Sequence, residues 1–395
     1  MVEVREITTI KLGLISAPDL PAEIASDLIK ELPELLPDRI DKDVSWEVEM
    51  TIDSLVGVAE NTKQVLEKAD NIKEENNWDY AICLTDLPIF FGKYLVVANA
   101  SLKDQVAQIS VPTFGLMPMR KRIRKTLMQM MRELYSKESN DKPHARLAVE
   151  KKPSPSKNKN KNKLTHQFSL SQIGRMQATS KDDVVDLRYF IKSRFTGYLR
   201  VLLGMTFANR PWKALFSFNK MITLSFATGS YISIFPTPWQ LSIVYTPIRL
   251  IILTIIAIMG MVIWVIFSQN LWEKPSDRGK KRWRDLYNWT TFVTLSSIVI
   301  INYIVLFTMF SIAISIFVPP ELFQAWTGLD EDPSFKYYLN LVWLVTSLGT
   351  LAGAIGAGLE REEKIRNITY SFRQQQRYYE VGEEYDNKKE AEESN

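Results

Sequence analysis

Cysteine and histidine are nearly missing from this chain of 395 residues, which holds one cysteine, Cys83, and two histidines, His144 and His166. A lone thiol cannot close an intrachain disulfide and cannot supply a cysteine-based metal cluster. Both histidines fall in a polar, lysine-rich stretch, which excludes haem held by two histidines inside a membrane. Common catalytic motifs are missing too. There is no Gly-x-Gly-x-x-Gly, no Walker loop, no His-Glu-x-x-His and no Gly-x-Ser-x-Gly, which removes the easiest dinucleotide, phosphate, zinc and acyl-transfer readings. Met1 to Leu12 lacks an apolar core followed by a small-residue cleavage site, so no signal peptide is expected.

Charge is the most telling absence. Met221–Ile248, Leu250–Phe267, Trp289–Val318 and Leu339–Leu359 contain no Asp, Glu, Lys, Arg or His. Each run is long enough to cross a bilayer, so four transmembrane helices are expected. Pro236 and Pro238 are read as the exit turn of the first. Pumps and ion pathways keep ionisable groups inside the bilayer, and their absence makes a channel or transporter only a further alternative. Asn302 is the notable mid-span amide, expected as glue between helices. Gly349-x-x-x-Gly353 and Ala354-x-x-x-Gly358 align small residues on one helix face. Packing inside the bundle is the first expectation for that face, and a homo-oligomer contact the second.

Basic residues in the loops give an orientation. Lys274, Arg278, Lys280, Lys281, Arg282 and Arg284 lie between the second and third runs, while Glu321, Asp330, Glu331 and Asp332 follow the third. Positive loops stay inside. A multi-pass protein of the cell membrane is expected, with both termini cytoplasmic and the lipid bilayer as its first partner.

Residues 1–136 read differently. They carry about −6 net charge, against about +7 for residues 137–175. Apolar strands near Thr8–Ile15, Ser45–Ile52, Asp79–Leu84, Tyr94–Ala98 and Ala107–Val111 alternate with helices near Leu20–Leu36, Glu60–Asn76 and Arg120–Tyr135. Asp19 is the expected N-cap of the first helix, with a break or kink near Pro33. The order predicts an α/β domain, a mixed sheet with flanking helices. In such sheets ligands gather at the carboxyl ends of the strands. Ser16, Asp19, Asp53, Ser54, Thr85 and Asp86 fall there, and Asp19, Asp53 and Asp86 are candidate ligand-binding acids. Asp is also a common cap and turn residue, so these positions admit a purely structural role. Arg120, Lys121, Arg122, Arg124 and Lys125 open the last helix of the domain. Cations at a helix N-terminus oppose its dipole, so Arg120 and Arg122 are candidates for holding an anion; a solvated basic face is the plainer reading. The acidity of the domain argues against nucleic acid as a partner.

Three joining regions complete the organisation: a Lys/Asn/Ser/Pro-rich flexible tether over 137–182, a juxtamembrane amphipathic helix over 183–212, and a cytoplasmic tail over 361–395 behind a membrane domain over 213–360. Within 183–212, Arg188, Lys192, Arg194, Arg200 and Arg210 interleave with Tyr189, Phe190, Phe195 and Tyr198. That pattern predicts contact with anionic lipid headgroups.

Three segments carry a resemblance: Leu12-Gly13-Leu14-Ile15-Ser16-Ala17-Pro18-Asp19-Leu20-Pro21, Trp78-Asp79-Tyr80-Ala81-Ile82-Cys83-Leu84-Thr85-Asp86-Leu87-Pro88, and Gly204-Met205-Thr206-Phe207-Ala208-Asn209-Arg210-Pro211-Trp212. The chain resembles a family of uncharacterised integral membrane proteins from Gram-positive bacteria. Some similar proteins bear a methylene-tetrahydrofolate dehydrogenase label. Such enzymes use a Tyr-x-x-x-Lys pair and a glycine-rich dinucleotide turn, and here that pair occurs only as Tyr385 and Lys389 in the tail. A fainter similarity is to the zincin topology, with the Arg120–Tyr135 helix in the catalytic place but without histidine. No metal and no cofactor are implied. The leading expectation is a non-enzymatic sensor or scaffold whose cytoplasmic domain binds a small anionic ligand or a protein partner. A membrane-anchored enzyme, with its acids holding a metal or a polar substrate, is the alternative.

Overall fold

The computed structural model describes residues 8–54, 56, 62–116, 118–141, 172–177, 184–214, 218–273 and 281–357. Both histidines, most of the expected tether, the loop 274–280 and the tail 361–395 lie outside the described residues. The chain divides into two units, the boundary falling between Ala208 and Asn209.

The first unit is built from β1 (Thr9–Ser16), α1 (Leu20–Arg39), β2 (Ser45–Ile52), α2 (Thr62–Glu75), β3 (Tyr80–Thr85), β4 (Ile89–Phe91), β5 (Tyr94–Ser101), β6 (Val106–Ser110), a 3-10 turn at Val111–Phe114, α3 (Met119–Asp141), β7 (Ile173–Gln177), β8 (Leu187–Ile191) and α4 (Arg194–Ala208). The strands form one sheet in the order β2-β1-β3-β6-β5-β8-β7, with β4 paired to β5. β2, β1, β3 and β6 run parallel, and β5, β8 and β7 add antiparallel. β3 is buried along its whole length, as a central strand covered on both faces must be.

Helices cover both faces. Val65, Leu66, Ala69 and Ile72 of α2 pack with Ile15, Ala81, Cys83 and Val106. On the opposite face the Tyr135 ring of α3 lies 5.7 Å from Trp46 and 6.4 Å from Tyr80. Gly13 has a specific cause. A Cβ there would stand 1.7 Å from the Trp78 ring, so only glycine lets Trp78 lie against β1.

Several expectations need correction. Pro33 does not end α1, which continues as one helix to Arg39. Its stripe Ile24, Leu28, Leu32 and Leu36 is buried, and that packing outweighs the amide hydrogen bonds proline removes. The expected amphipathic helix over 183–212 is instead β8 followed by α4. β8 pairs with β5 and β7 pairs with β8, so strand partners remote in sequence override the local aromatic and basic pattern. Residues 173–177, expected in the tether, are a strand of this sheet.

The second unit is helical: α5 (Pro211–Ala214), α6 (Asn219–Ser233), α7 (Pro236–Val244), α8 (Pro247–Ser268), α9 (Lys281–Phe317), α10 (Pro320–Thr327) and α11 (Phe335–Ala357). Among the described residues three helices are long and apolar enough to cross a membrane: α8, α9 and α11. They match the second, third and fourth expected spans. The first expected span is not one helix. α6 has 15 residues, a rise of about 22 Å against the ~30 Å of a hydrocarbon core. Pro236 starts α7 rather than closing a span, because its fixed φ and missing amide suit the first helical position.

α6 lies antiparallel along α11, and small residues set the distance. A Cβ on Gly349 would come 2.7 Å from the Ser225 carbonyl, on Gly353 1.8 Å from Ser225 Oγ, and on Gly356 3.1 Å from the Lys220 carbonyl. Gly349, Gly353 and Gly356 thus pack within this unit, while Gly358 of the expected face lies outside the described residues. Polar glue is present, but at other residues than expected. Tyr303 Oη lies 2.8 Å from Ser347 Oγ and 3.1 Å from Thr254 Oγ1, and Trp343 Nε1 donates to Thr254 Oγ1 at 2.6 Å. These bonds tie α8, α9 and α11 together. Asn302, the expected glue, is fully buried and has no hydrogen-bond partner among the described residues.

Candidate functional site

The topology places β1 at a switch point. α1 carries the chain from β1 to β2 on one side, while β3 and β6 lie on the other. In open α/β sheets the crevice outside the carboxyl ends of such strands takes the ligand. Ser16 ends β1, Ile52 ends β2, Thr85 ends β3 and Ser110 ends β6.

Hydrogen bonds knit this edge. Ala17 N donates to the Leu84 carbonyl at 2.9 Å, and Asp53 N to the Ser16 carbonyl at 3.0 Å. Thr85 Oγ1 donates to the Val56 carbonyl at 2.7 Å and accepts from Leu87 N at 3.1 Å. Ser110 Oγ donates to the Leu87 carbonyl at 2.7 Å. The Asp86 loop is therefore tied to the end of β6. Ser16 is fully buried, and its hydroxyl has no partner among the described residues. A buried hydroxyl left without a bond costs about 1–3 kcal/mol.

The three acids expected here take different places. Asp86 is 3 % exposed, directly after β3. Asp53 accepts from Val56 N at 3.3 Å and faces Lys68 Nζ at 3.9 Å, which is turn and surface work. Asp19 holds the N-cap position of α1 with φ 67° and makes no side-chain capping bond. Its carbonyl accepts from Glu23 N at 3.1 Å, and Pro21 removes one of the amides a cap would serve. Among the described residues no three His, Cys, Asp or Glu side chains form a group able to hold a metal ion. The metal form of an acidic site therefore has no support from these acids.

The basic cluster opening α3 divides in two. Arg120 pairs with Asp27 at 2.8 Å and Glu31 at 2.9 Å, and Arg124 pairs with Glu31 at 2.5 Å. The Arg124 hydrogen bond, with both guanidinium charges, holds the Glu31 carboxyl below its usual range. These cations bridge α3 to α1 and have their counterions. They line a groove of about 590 Å³ with Leu20, Ile24, Met119 and Phe207. Arg122 turns the other way, and its Nη1 donates to the Phe114 carbonyl at 2.9 Å.

Arg200 of α4 converges on the same place. Its Cγ lies 3.2 Å from where a Gly115 Cβ would stand, and Gly115 has φ 70°, open to glycine at little cost. Burial first, and then the neighbouring Arg122 charge, lower the Arg200 pKa to about 10. Two arginine side chains thus reach Phe114–Gly115, just beyond the carboxyl end of β6, close enough for their charges to be felt by one another. The sequence assigned Arg200 to a lipid-facing helix. The signal that could have corrected this is Gly197 and Gly204, seven residues apart on one face of α4. A Cβ on Gly204 would stand 2.1 Å from the Pro112 carbonyl, so that face must lie against protein backbone.

Set against protein families, curated proteins and solved structures, the chain matches none, and the resemblance to Gram-positive membrane proteins rests on its quoted residues alone.

Proposed function

We propose that this is an integral membrane protein whose α/β unit lies in the cytoplasm and binds a small anionic ligand, as a sensor or scaffold, at the carboxyl edge of its sheet. The observation that carries the reading is the meeting of Arg122 and Arg200 at Phe114–Gly115. Like charges brought together in a partly desolvated place repel strongly. A phosphate or carboxylate between two guanidinium groups relieves that repulsion and gains charge-assisted hydrogen bonds. The membrane part rests on α8, α9 and α11, and on the basic and acidic loops that flank α9.

The test is thermal unfolding of the full-length protein in nanodiscs against pyrophosphate, nucleotides, sugar phosphates and folates. A ligand bound only by the folded state adds about 2.7 kcal/mol at a hundred times its dissociation constant. The expected result is a saturable stabilisation lost in both Arg122→Gln and Arg200→Gln and kept in Arg120→Gln. A folded Arg200→Gln protein stabilised as strongly as the wild type would overturn the reading.

A second reading, an enzyme at the same edge, draws on Asp86, a carboxylate 3 % exposed at the end of the central strand β3. Buried carboxylates at such ends serve as bases or substrate anchors. Any turnover of a compound found in the first test that survives Asp86→Ala sinks it.

A further inference from the structure

The α/β unit carries a second feature that an anion site does not use. α4 presents Phe195 at 78 % exposure and Leu199 at 45 %, four residues apart and so on one stripe. The helix cannot roll to hide them. Gly197 packs toward Leu95 and Ile191, and Gly204 lies against the Pro112 carbonyl. Beside the stripe stands the β4–β5 turn. Phe91 is 41 % exposed at its tip, Gly92 takes φ 54°, and Lys93 is exposed. The Arg194 guanidinium, 5.7 Å from the Tyr94 ring centre, joins turn and helix, while Arg188 lies 3.9 Å over the Phe91 ring. Lys192 and Arg194 are exposed at the rim.

Neither of the two segments that make this surface carries an acid. The sequence has no Asp or Glu between Asp186 and Glu273, and none from Ile89 to Ser101. Exposed rings and aliphatic side chains ringed by cations are what an anionic bilayer surface takes up. The apolar groups enter the headgroup boundary, and each cation near the surface contributes about 1 kcal/mol. Only ten residues separate Ala208 from Asn219, where α6 begins. We propose that the Phe195–Leu199 stripe of α4 and the tip of the β4–β5 turn together dock the α/β unit on the anionic lipid leaflet. Docking limits the space the unit samples and turns its ligand site into a reader of events at the membrane.

The proposal rests on reading α8, α9 and α11 as spans, and the experiment separates the two. Phe195→Cys is labelled with an environment-sensitive fluorophore in the full chain, reconstituted in nanodiscs with or without phosphatidylglycerol. Cys83 is fully buried, and the unsubstituted protein serves as the blank. Lys42→Cys, exposed just ahead of the edge strand β2, is the control position. The expected result in anionic discs is a blue shift and severalfold quenching by lipids brominated near the headgroup, at position 195 and not at 42. Lys192→Glu with Arg194→Glu should reduce that quenching severalfold. Water-like emission at 195, equal quenching at both positions, or energy transfer between labelled copies overturns the proposal, the last assigning the face to a second copy. Failure to enter discs at all overturns the reading of the spans as well.

Discussion

Cys83 and Glu31 show how single residues report on this fold. Cys83 is fully buried on β3 against α2, and burial pushes its thiol pKa well up, with the Asp53 charge adding to it. Thiolate is the reactive form, so a thiol reagent at neutral pH should label the native protein far more slowly than the denatured one. Equal rates would mean β3 is open to solvent. Glu31 behaves oppositely. Its folded pKa lies below the unfolded value, so its contribution is complete above the unfolded pKa near 4.5 and is lost as pH falls through the folded one. The pair is about one-third exposed, which limits it to roughly 0.2–1 kcal/mol. Glu31→Gln should lower stability at neutral pH by about that much and leave it unchanged at the lowest pH where the protein stays folded. Denaturant unfolding at both pH values checks the sign.

At the scale of elements, glycine decides how closely helices meet. Gly353 and Gly260 both lie in long apolar helices, yet they predict opposite outcomes. A Cβ on Gly353 meets Ser225 Oγ at 1.8 Å, while on Gly260 the nearest atom is Leu351 Cδ2 at 3.4 Å. Gly353→Ala should force α6 away from α11 and cost roughly 1–3 kcal/mol. Gly260→Ala should be neutral or stabilise by up to about 1 kcal/mol, since alanine favours the helix. Thermal stability in detergent distinguishes the two, and equal effects would contradict the close α6–α11 contact. The same reasoning explains why β7 and β8 were not legible. Leu187–Ile191 contains aromatics and bases that read equally well as an amphipathic helix. Only hydrogen bonds to β5, 87 to 96 positions away in sequence, fix it as a strand.

For the whole molecule the number of bilayer crossings sets which face the α/β unit occupies. With α8, α9 and α11 alone, the α/β unit and the basic loop before α9 end on opposite faces. If α6 and α7 together make a further pass, both lie on the same face. Asn340 Nδ2 donates to the Ser242 carbonyl at 2.9 Å, and Gly356 meets Lys220. The broken pair therefore follows α11 over most of its length, and a fourth pass is the outcome we propose. Lys42→Cys, Arg282→Cys and Asp332→Cys, each adding one exposed thiol beside the buried Cys83, test this with a membrane-impermeant maleimide on intact cells, the unsubstituted protein serving as the blank. Labelling of Asp332→Cys alone is the expected outcome. Labelling of Lys42→Cys without permeabilisation would leave three passes and place the α/β unit outside.

The sequence by itself determined the two-part division, the three long apolar helices and the positions of the strands β1, β2 and β3, because these depend on charge-free length and short-range periodicity. It also placed Ser16, Asp53, Thr85 and Asp86 at strand ends, since a strand ends where its apolar run does. Tertiary structure decided what those residues do. It occupied Asp53 in a turn, neutralised Arg120 against α1, broke the first apolar run at Pro236, and brought Arg200 to Arg122. Each outcome depends on a partner far along the chain, and local sequence carries no information about which distant side chain will arrive.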